Sequence, residues 1–135
     1  MSGLFILGRM LVSTKPWTEV LVDTKDFTVY KDSFPVTEGH VLFVPKVEDW
    51  QHLVKCWEAA YKWGYDWTER GYCEAFNIGQ NVGEAAGQTV EYAHVHLIPR
   101  RKGDMADPRG GVRHVIPSKG NYRKDLPNGN ESTTN

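Results

Sequence analysis

The chain has 135 residues, of which 40% are hydrophobic and 24% are charged, and its formal net charge at pH 7 is −1. This length fits one compact domain, and the near balance of charge excludes a protein that attracts nucleic acid or an anionic membrane by its overall field. Cys56 and Cys73 form no CxxC pair, so we expect both to be reduced and buried in a cytoplasmic protein. The apolar run at residues 4–7 is too short to cross a membrane and lacks signal-peptide features.

The first half of the chain predicts a β-hairpin, a buried strand and one long helix. Residues 17–22 and 27–31 have strand-like patterns on either side of a polar turn, and residues 40–44 form a short, mostly apolar run that predicts a central strand. From residue 50 to residue 68 the apolar spacing becomes helical. Asp49 suits the helix N-cap and Gly71 suits the stop.

The second half predicts two more strands around a glycine-rich loop. Residues 72–78 and 88–99 are strand-like, and residues 79–87 contain the glycines. Strands interrupted by a single helix predict an α+β domain with a mainly antiparallel, five-stranded sheet. We expect an N-terminal extension at residues 1–16, the folded domain at 17–122 and a polar, disordered tail at 123–135.

The last predicted strand carries the side chains that are candidates for a role in catalysis. Side chains alternate along a strand, so Tyr92, His94 and His96 are expected on one face and the apolar residues between them on the other. Neighbours on one face are about 7 Å apart, which lets two imidazoles touch one phosphate. Imidazole is a nucleophile near neutral pH, and the preceding glycine loop offers backbone N–H groups to an anion.

Several separate stretches together resemble one protein family. The run GQTV at residues 87–90, the alternating histidines and the run IPR at residues 98–100 resemble the histidine-triad (HIT) nucleotide hydrolases and transferases, and most of all their bacterial diadenosine-polyphosphate-hydrolase-like branch. Further similar stretches, in the same order, are residues 34–46, 77–87, 101–104 and 107–111. The resemblance therefore covers about residues 17–122 and implies a HIT domain whose sheet continues across a homodimer.

The resemblance implies roles for the histidines. His94 matches the middle histidine of the family, which attacks the α-phosphorus, and His96 matches the third histidine, which contacts phosphate oxygens. His40 matches a fourth histidine behind the triad and is expected to be a buried, hydrogen-bonded residue. Tyr92 stands where the family has its first histidine, and its hydroxyl does not titrate near neutral pH.

The resemblance also implies the residues that bind the nucleotide. Gln88 and Thr89 match the family's phosphate-contacting pair, and Asn81 matches an asparagine that lines the site. Asp32 matches the acidic residue that binds the ribose hydroxyls. From the residues alone, a plain turn role for Asp32 before Pro35 is nearly as good an interpretation.

The sequence predicts no metal or other cofactor, apart from a divalent cation carried by a polyphosphate substrate. Bacterial relatives with a structural zinc carry a CxxC motif and a histidine near the helix start, whereas this N-terminus has no cysteine and Val47 takes the histidine's place. A metal bound by His40, His94 and His96 is a weaker alternative.

The leading interpretation is therefore a nucleotidyl hydrolase or transferase that cleaves a nucleoside phosphoramidate or a dinucleoside polyphosphate through a nucleotide bound to His94. The alternative is a non-catalytic purine-nucleotide sensor, because Tyr92 replaces the first histidine. A metal-binding or structural module is a third, weaker class. The expected partners are a purine nucleotide and a second copy of the chain, without nucleic acid or membrane. The helix aromatics, such as Trp57 and Tyr61, are expected to lie in the core or at the dimer contact.

Overall fold

Five strands and one long helix form the fold in a computed structural model that describes residues 14–127. The elements in chain order are β1 (Val20–Asp23), β2 (Phe27–Lys31), β3 (Val41–Pro45), α1 (Trp50–Glu69), β4 (Ala75–Gly79) and β5 (Val95–Arg100). Short 3₁₀ helices lie at Glu84–Ala86, Gly111–Val115 and Pro117–Lys119. Most of the predicted N-terminal extension and the tail from residue 128 lie outside the described residues, so those two predictions stay untested.

The strands form one sheet in the order β1-β2-β3-β5-β4, and every neighbouring pair is antiparallel. The predicted α+β fold with a five-stranded antiparallel sheet is therefore confirmed. In the register of the sheet, His96 lies opposite Leu42 of β3 on one side and opposite Gly79 of β4 on the other. β5 is thus an interior strand, and His96 lies near the middle of the sheet.

Helix α1 covers one face of the sheet. Its buried residues Leu53, Cys56 and Ala60 pack with the side chains that point from the strands toward the helix. The sheet contributes Val29, Val41, Phe43, Val95 and Leu97 to this core. Because side chains alternate along β5, His96 points to the face that α1 leaves uncovered, which we call the site face.

The ends of α1 lie where the sequence predicts them. The Asp49 side chain accepts a hydrogen bond from the backbone N–H of His52 at 2.8 Å, which is the contact expected of an N-cap. Gly71 follows the helix with φ +79, a left-handed conformation that favours glycine. Cys56 and Cys73 are both buried and form no disulfide, as the sequence predicts.

The last strand is shorter than predicted, because residues 88–94 do not join the sheet. Several of their backbone groups bond to side chains instead of to a neighbouring strand. The Gln88 amide donates to the carbonyls of Val90 and Glu91, and the Ala93 N–H donates to a Glu48 carboxylate oxygen. Pairing with a neighbouring strand needs these same backbone N–H and carbonyl groups, so β5 begins only at Val95.

The segment after β5 folds back through charged contacts. The guanidinium of Arg100 makes a bidentate pair with Asp104, with both N–O distances 2.8 Å. Arg109 contacts Asp107 and also donates to the carbonyls of Leu126 and Pro127. The first residues of the predicted tail, up to residue 127, therefore contact the domain.

Candidate active site

Three of the predicted site residues meet on the site face. His40 immediately precedes β3, His96 lies on β5, and Asp32 follows β2. The Nε2 atom of His40 is 2.9 Å from Nδ1 of His96 and 3.4 Å from Oδ2 of Asp32. The sheet register thus assembles side chains that are up to 64 positions apart in the chain.

The hydrogen bonds determine which nitrogen of each imidazole carries the proton. The backbone N–H of Val36 donates to Nδ1 of His40 at 3.2 Å, so that nitrogen is an acceptor. His40 therefore carries its proton on Nε2 and donates it to Nδ1 of His96. In turn, neutral His96 carries its proton on Nε2, where it can donate to an oxygen of a ligand.

His94 is oriented by the backbone. Its Nδ1 lies 2.8 Å from the carbonyl oxygen of Tyr92, and because a carbonyl only accepts, Nδ1 carries the proton. The other nitrogen, Nε2, then has a free lone pair, which a nucleophile requires. The His94 ring packs between those of His96 and Trp17, with centroid distances of 5.1 and 4.9 Å.

All three histidines have lowered pKa values. Burial is the main cause for each. For His96, the neighbouring imidazoles of His94 and His40 add to burial and bring the pKa to about 4. For His94, the Tyr92 carbonyl and the Asp32 carboxylate oppose the lowering of the pKa. The cluster is therefore neutral at pH 7, and His94 has an unprotonated Nε2.

Asp32 makes a turn contact and also faces the histidine cluster, while its predicted binding of ribose stays a prediction. Its Oδ1 accepts a hydrogen bond from the backbone N–H of Phe34 at 2.7 Å, which is a turn contact. Its Oδ2 faces His40 on the site face, and the side chain is 16% exposed. One carboxylate oxygen therefore stabilises the turn while the other faces the site.

Gln88 closes the glycine loop through hydrogen bonds from its side chain and its backbone. The Gln88 Oε1 accepts from the backbone N–H of Gly83 at 2.8 Å, and its amide nitrogen donates to Val90 and Glu91. Its backbone N–H also bonds within the loop, to the Gly83 carbonyl at 3.2 Å. The donors of Gln88 therefore have protein partners in this structure, and its predicted contact with phosphate stays a prediction.

Thr89 and Asn81 flank the closed loop. Thr89 is exposed directly after Gln88, and Asn81 is half-buried at the start of the loop. Within residues 14–127, neither side chain has a hydrogen-bond partner. Both side chains therefore keep polar groups that a ligand can engage.

The Tyr92 side chain does not join the histidines. Its hydroxyl donates to the carbonyls of Pro45 and Lys46, at 2.8 and 3.2 Å, in the loop between β3 and α1. Burial and the nearby Glu48 carboxylate raise the pKa of Tyr92 to about 12. Among residues 14–127, the hydroxyl makes no hydrogen bond to an imidazole, and the backbone carbonyl of Tyr92 is the group that bonds to His94.

The sequence did not predict the contacts that two further residues make near His94. Trp17, which was expected to begin the first strand, precedes β1 and packs on both His94 and Tyr30. Glu48 contacts the backbone N–H of Ala93 across 45 positions of the chain. Neither contact has a signature in periodicity or spacing, because both depend on how loops pack together.

A cavity of about 340 Å³ extends along the site face beyond the histidines. Its wall includes Thr37 from the loop between β2 and β3, Ile98 from β5 and His114 from the C-terminal segment. Ile98 is two residues from His96 on the same face of β5. The C-terminal segment therefore forms one wall of a cavity that adjoins the histidine cluster.

Comparison with known proteins identifies the family. The family model for the HIT domain matches residues 15–103. The chain belongs to the HIT domain family. It is 30% identical to an asymmetrical bis(5'-nucleosyl)-tetraphosphatase of Schizosaccharomyces pombe, over 84% of this chain and 66% of that protein. It is 31% identical to an adenosine 5'-monophosphoramidase of Candida albicans, over 60% of each protein.

The structural comparison agrees with this family. The fold matches the crystal structure of a Zn-bound histidine triad family protein from Mycobacterium smegmatis with a TM-score of 0.58 and 28% identity, covering 63% of this chain and 67% of that one. This HIT chain spans about two thirds of the length of the curated relatives it matches, or less. No helix within residues 14–127 is long and apolar enough to cross a membrane.

One cluster of the HIT domain has the composition of a metal site. Asp32, His40 and His96 each offer one ligand atom, and these atoms lie within 4.8 Å of one another. This set differs from the predicted alternative of His40, His94 and His96, because Asp32 stands in place of His94. The two nitrogens are 2.9 Å apart, whereas two nitrogens on a tetrahedral zinc are separated by about 3.3 Å. The distance fits a shared proton better than a shared ion.

Proposed function

We propose that this HIT protein is a nucleotidyl hydrolase or transferase that cleaves a dinucleoside polyphosphate or a nucleoside phosphoramidate at the α-phosphate. The observation that carries the proposal is the state of His94, whose Nδ1–H is donated to the Tyr92 carbonyl so that Nε2 has a free lone pair. The names of the relatives support the same class of substrates, because one is a tetraphosphatase and another a phosphoramidase.

The proposed reaction has two steps. The Nε2 lone pair of His94 attacks the α-phosphorus, an N–P bond forms, and the P–O bond to a polyphosphate leaving group breaks. The leaving group departs as an anion with that electron pair, while the imidazole keeps its Nδ1 proton and becomes positively charged. Water then attacks phosphorus and loses a proton to solvent, and the N–P electron pair returns to Nε2.

We propose that the nucleotide lies along the site face. His96 donates its Nε2 proton to a phosphate oxygen, and Thr89 and Asn81 contact the same phosphate with neutral donors. Gln88 acts on the phosphate through the loop that it closes. The free oxygen of Asp32 accepts from a ribose hydroxyl, and the base is a purine, as the resemblance implies.

The test uses diadenosine tetraphosphate and adenosine phosphoramidate with the parent protein and with His94→Ala. Phosphorus NMR follows the products, and mass spectrometry detects a nucleotidyl adduct. We expect His94→Ala to abolish turnover while nucleotide affinity changes little. The variant His52→Gln, at a histidine of helix α1 away from the site face, is the control. Turnover by His94→Ala at the parent rate would refute the assignment.

A second candidate function is a purine-nucleotide sensor without catalysis. It is favoured by Tyr92, whose hydroxyl contacts the β3–α1 loop, so that no side chain at this position supports the imidazoles. General acid–base and orienting groups typically contribute about 10²–10⁴-fold to a rate, so a slow enzyme is expected under the first proposal. Single-turnover rates of the parent and of Tyr92→His separate the two. An adduct that appears only in Tyr92→His would make the natural protein a sensor.

We propose that the protein functions without a resident metal. The 2.9 Å separation of the His40 and His96 nitrogens supports this proposal. Elemental analysis of protein purified without a histidine tag should find less than stoichiometric zinc. One tightly held zinc per chain would contradict the proposal.

We further propose a cytoplasmic homodimer that binds neither nucleic acid nor membrane. A stripe of apolar residues remains exposed along α1, at helical spacing: Trp50, Val54, Trp57, Tyr61 and Tyr65. Tyr61 and Tyr65 also pack on Phe76 of β4, which is the last strand at one edge of the sheet. The stripe and this edge form one continuous surface that a second copy can cover. The net charge of −1 supports the absence of nucleic acid.

A further inference from the structure

A carboxylate and the nucleophile contact opposite sides of one peptide group. The Ala93 N–H donates to Oε2 of Glu48 at 2.8 Å. The carbonyl oxygen of the same peptide, which belongs to Tyr92, accepts the Nδ1–H of His94 at 2.8 Å. The atoms therefore form a continuous chain from the Glu48 carboxylate through the Tyr92–Ala93 peptide to the imidazole of His94.

A peptide group transmits polarisation between its two ends. When its N–H donates to an anion, electron density moves toward the carbonyl oxygen, which becomes a stronger acceptor. A hydrogen bond to a charged group is roughly twice as strong as one between neutral groups, so the carboxylate makes this effect larger than a neutral acceptor would. The bond from His94 Nδ1 to the carbonyl is therefore strengthened by the charge on Glu48.

We propose that Glu48 is a positioning residue for His94, and that its carboxylate stabilises the positive imidazole of the nucleotidyl-histidine through the Tyr92–Ala93 peptide. The proposal rests on the proposed function, because the positive ring arises when His94 bonds to phosphorus. In a serine–histidine–aspartate triad, a carboxylate holds the histidine tautomer and stabilises the imidazolium by direct contact. Here the carboxylate performs both tasks through a peptide.

The same contacts restrain the segment that carries His94. The Tyr92 hydroxyl bonds to the Pro45 and Lys46 carbonyls, and Glu48 follows two residues later in the same loop. The β3–α1 loop thus holds both Tyr92 and Ala93. A purely structural role for Glu48 would need only an acceptor for the Ala93 N–H, whereas the proposal needs the negative charge.

Other titratable and charged groups lie around His94 and Tyr92, and the Glu48 variants do not alter them. His96 and the Asp32 carboxylate face His94 from β5 and from the end of β2. Around Tyr92 lie the ammonium of Lys15, 4.8 Å from the ring centroid, and the carboxylate of Asp49 at the start of α1. A change confined to Glu48 leaves all of these groups in place.

The decisive variant is Glu48→Gln, which keeps a hydrogen-bond acceptor of the same shape and removes only the charge. The pKa of His94 is measured by NMR titration of the imidazole in the free full-length protein. We expect a decrease of about half to one pH unit and an upfield shift of the Nδ1 proton, because the carbonyl becomes a weaker acceptor. The matched control is Glu69→Gln at the far end of α1, about 30 Å along the helix, which should leave the pKa unchanged.

Kinetics provides the second measurement. With diadenosine tetraphosphate, we expect Glu48→Gln to slow single-turnover formation of the His94 adduct by about 10-fold, corresponding to the loss of one pKa unit of interaction. Nucleotide affinity should change less than twofold. A His94 pKa and an adduct rate equal to those of the parent would overturn the proposal and leave Glu48 as a structural contact.

The two proposals fail in different ways. If the parent protein forms no adduct, the proposed function fails, while the NMR titration still tests the effect of Glu48 on His94. If Glu48→Gln does not fold, Glu48→Asp takes its place, since the shorter side chain keeps the charge but lengthens the contact with Ala93. The expected result for Glu48→Asp is a smaller decrease in the His94 pKa, and an unchanged pKa would again overturn the proposal.

Discussion

A hydrogen bond to a backbone carbonyl orients His94, and a hydrogen bond from a second imidazole orients His96. The carbonyl of Tyr92 determines which nitrogen of His94 is free, and His40 does the same for His96. Burial then keeps the imidazoles neutral. At the scale of single residues, hydrogen bonds that exist without a ligand set the orientation and the tautomer of each imidazole, as the proposed attack on phosphorus requires.

The lowered pKa of His96 predicts a pH-dependent stability. The folded protein holds this pKa at about 4, below the value of about 6.5 in an unfolded chain. Between these values the unfolded state binds more protons, so the free energy of unfolding falls as the pH drops from about 6.5 to about 4. The full loss from His96 is on the order of 3 kcal/mol. Urea unfolding at several pH values, followed by tryptophan fluorescence, measures it.

Carboxylates affect a different pH range, which makes the test specific. The bidentate contact with Arg100 lowers the pKa of Asp104 to about 2, so its stabilising effect is lost only below about pH 4. We expect His96→Asn to make the profile less steep above pH 4, with His40 and His94 responsible for the remaining slope, while His114→Asn keeps the slope of the parent. A parent profile that is flat between pH 6.5 and pH 4 would show that burial of His96 has little energetic effect.

The contact between α1 and β4 depends on one position without a side chain. A Cβ built on Gly64 would lie 2.5 Å from the ring of Phe76, closer than atoms in real structures approach. Gly64 is buried in the middle of α1, where alanine would otherwise favour the helix by about 1 kcal/mol. At the scale of elements, the absence of a Cβ lets the helix lie directly on the sheet.

We therefore expect Gly64→Ala to destabilise the protein by about 1–3 kcal/mol, because overpacking exceeds the gain in helix propensity. Thermal and urea unfolding measure the change. The double variant Gly64→Ala with Phe76→Leu should recover part of the loss, since the smaller side chain gives the new methyl group room. A more stable Gly64→Ala protein would mean that β4 moves away from α1 at little cost.

The two sides of the described domain expose different kinds of residue. The apolar stripe of α1 adjoins the β4 edge of the sheet, while the opposite sheet face carries the histidines. A stable interface buries about 800 Å² on each partner, and aromatic residues are enriched in such surfaces. At this scale, one side of the domain has the features of a subunit contact and the other has those of a ligand site.

We expect the parent protein to sediment as a dimer and Tyr61→Arg to sediment as a monomer, because a charge in the middle of the stripe would be buried without a partner. Val112→Arg is the matched control, since it adds the same charge to an exposed apolar residue outside the stripe. Sedimentation velocity distinguishes the two states. A monomeric parent, or a dimeric Tyr61→Arg protein, would contradict the proposed interface.

Much of the architecture follows from local patterns. The period of the apolar residues and the capping residues Asp49 and Gly71 predicted the helix, and both capping contacts are present. The alternation of residues 93–97 predicted which side chains enter the core, and Ala93, Val95 and Leu97 are buried there. The family resemblance, carried by the runs around residues 87–100, led to the HIT domain, which the family comparison confirms.

Tertiary structure decided the contacts that join distant segments, because these depend on loop packing and on the register of the sheet. The register brought Asp32, His40 and His96 within 4.8 Å of one another. Side-chain bonds to the backbone shortened β5 and used the donors of Gln88 within its own loop. A strand pattern cannot predict this outcome, because a backbone N–H bonds to whichever acceptor the fold brings near it. For Ala93 that acceptor is Glu48, 45 positions away in the chain.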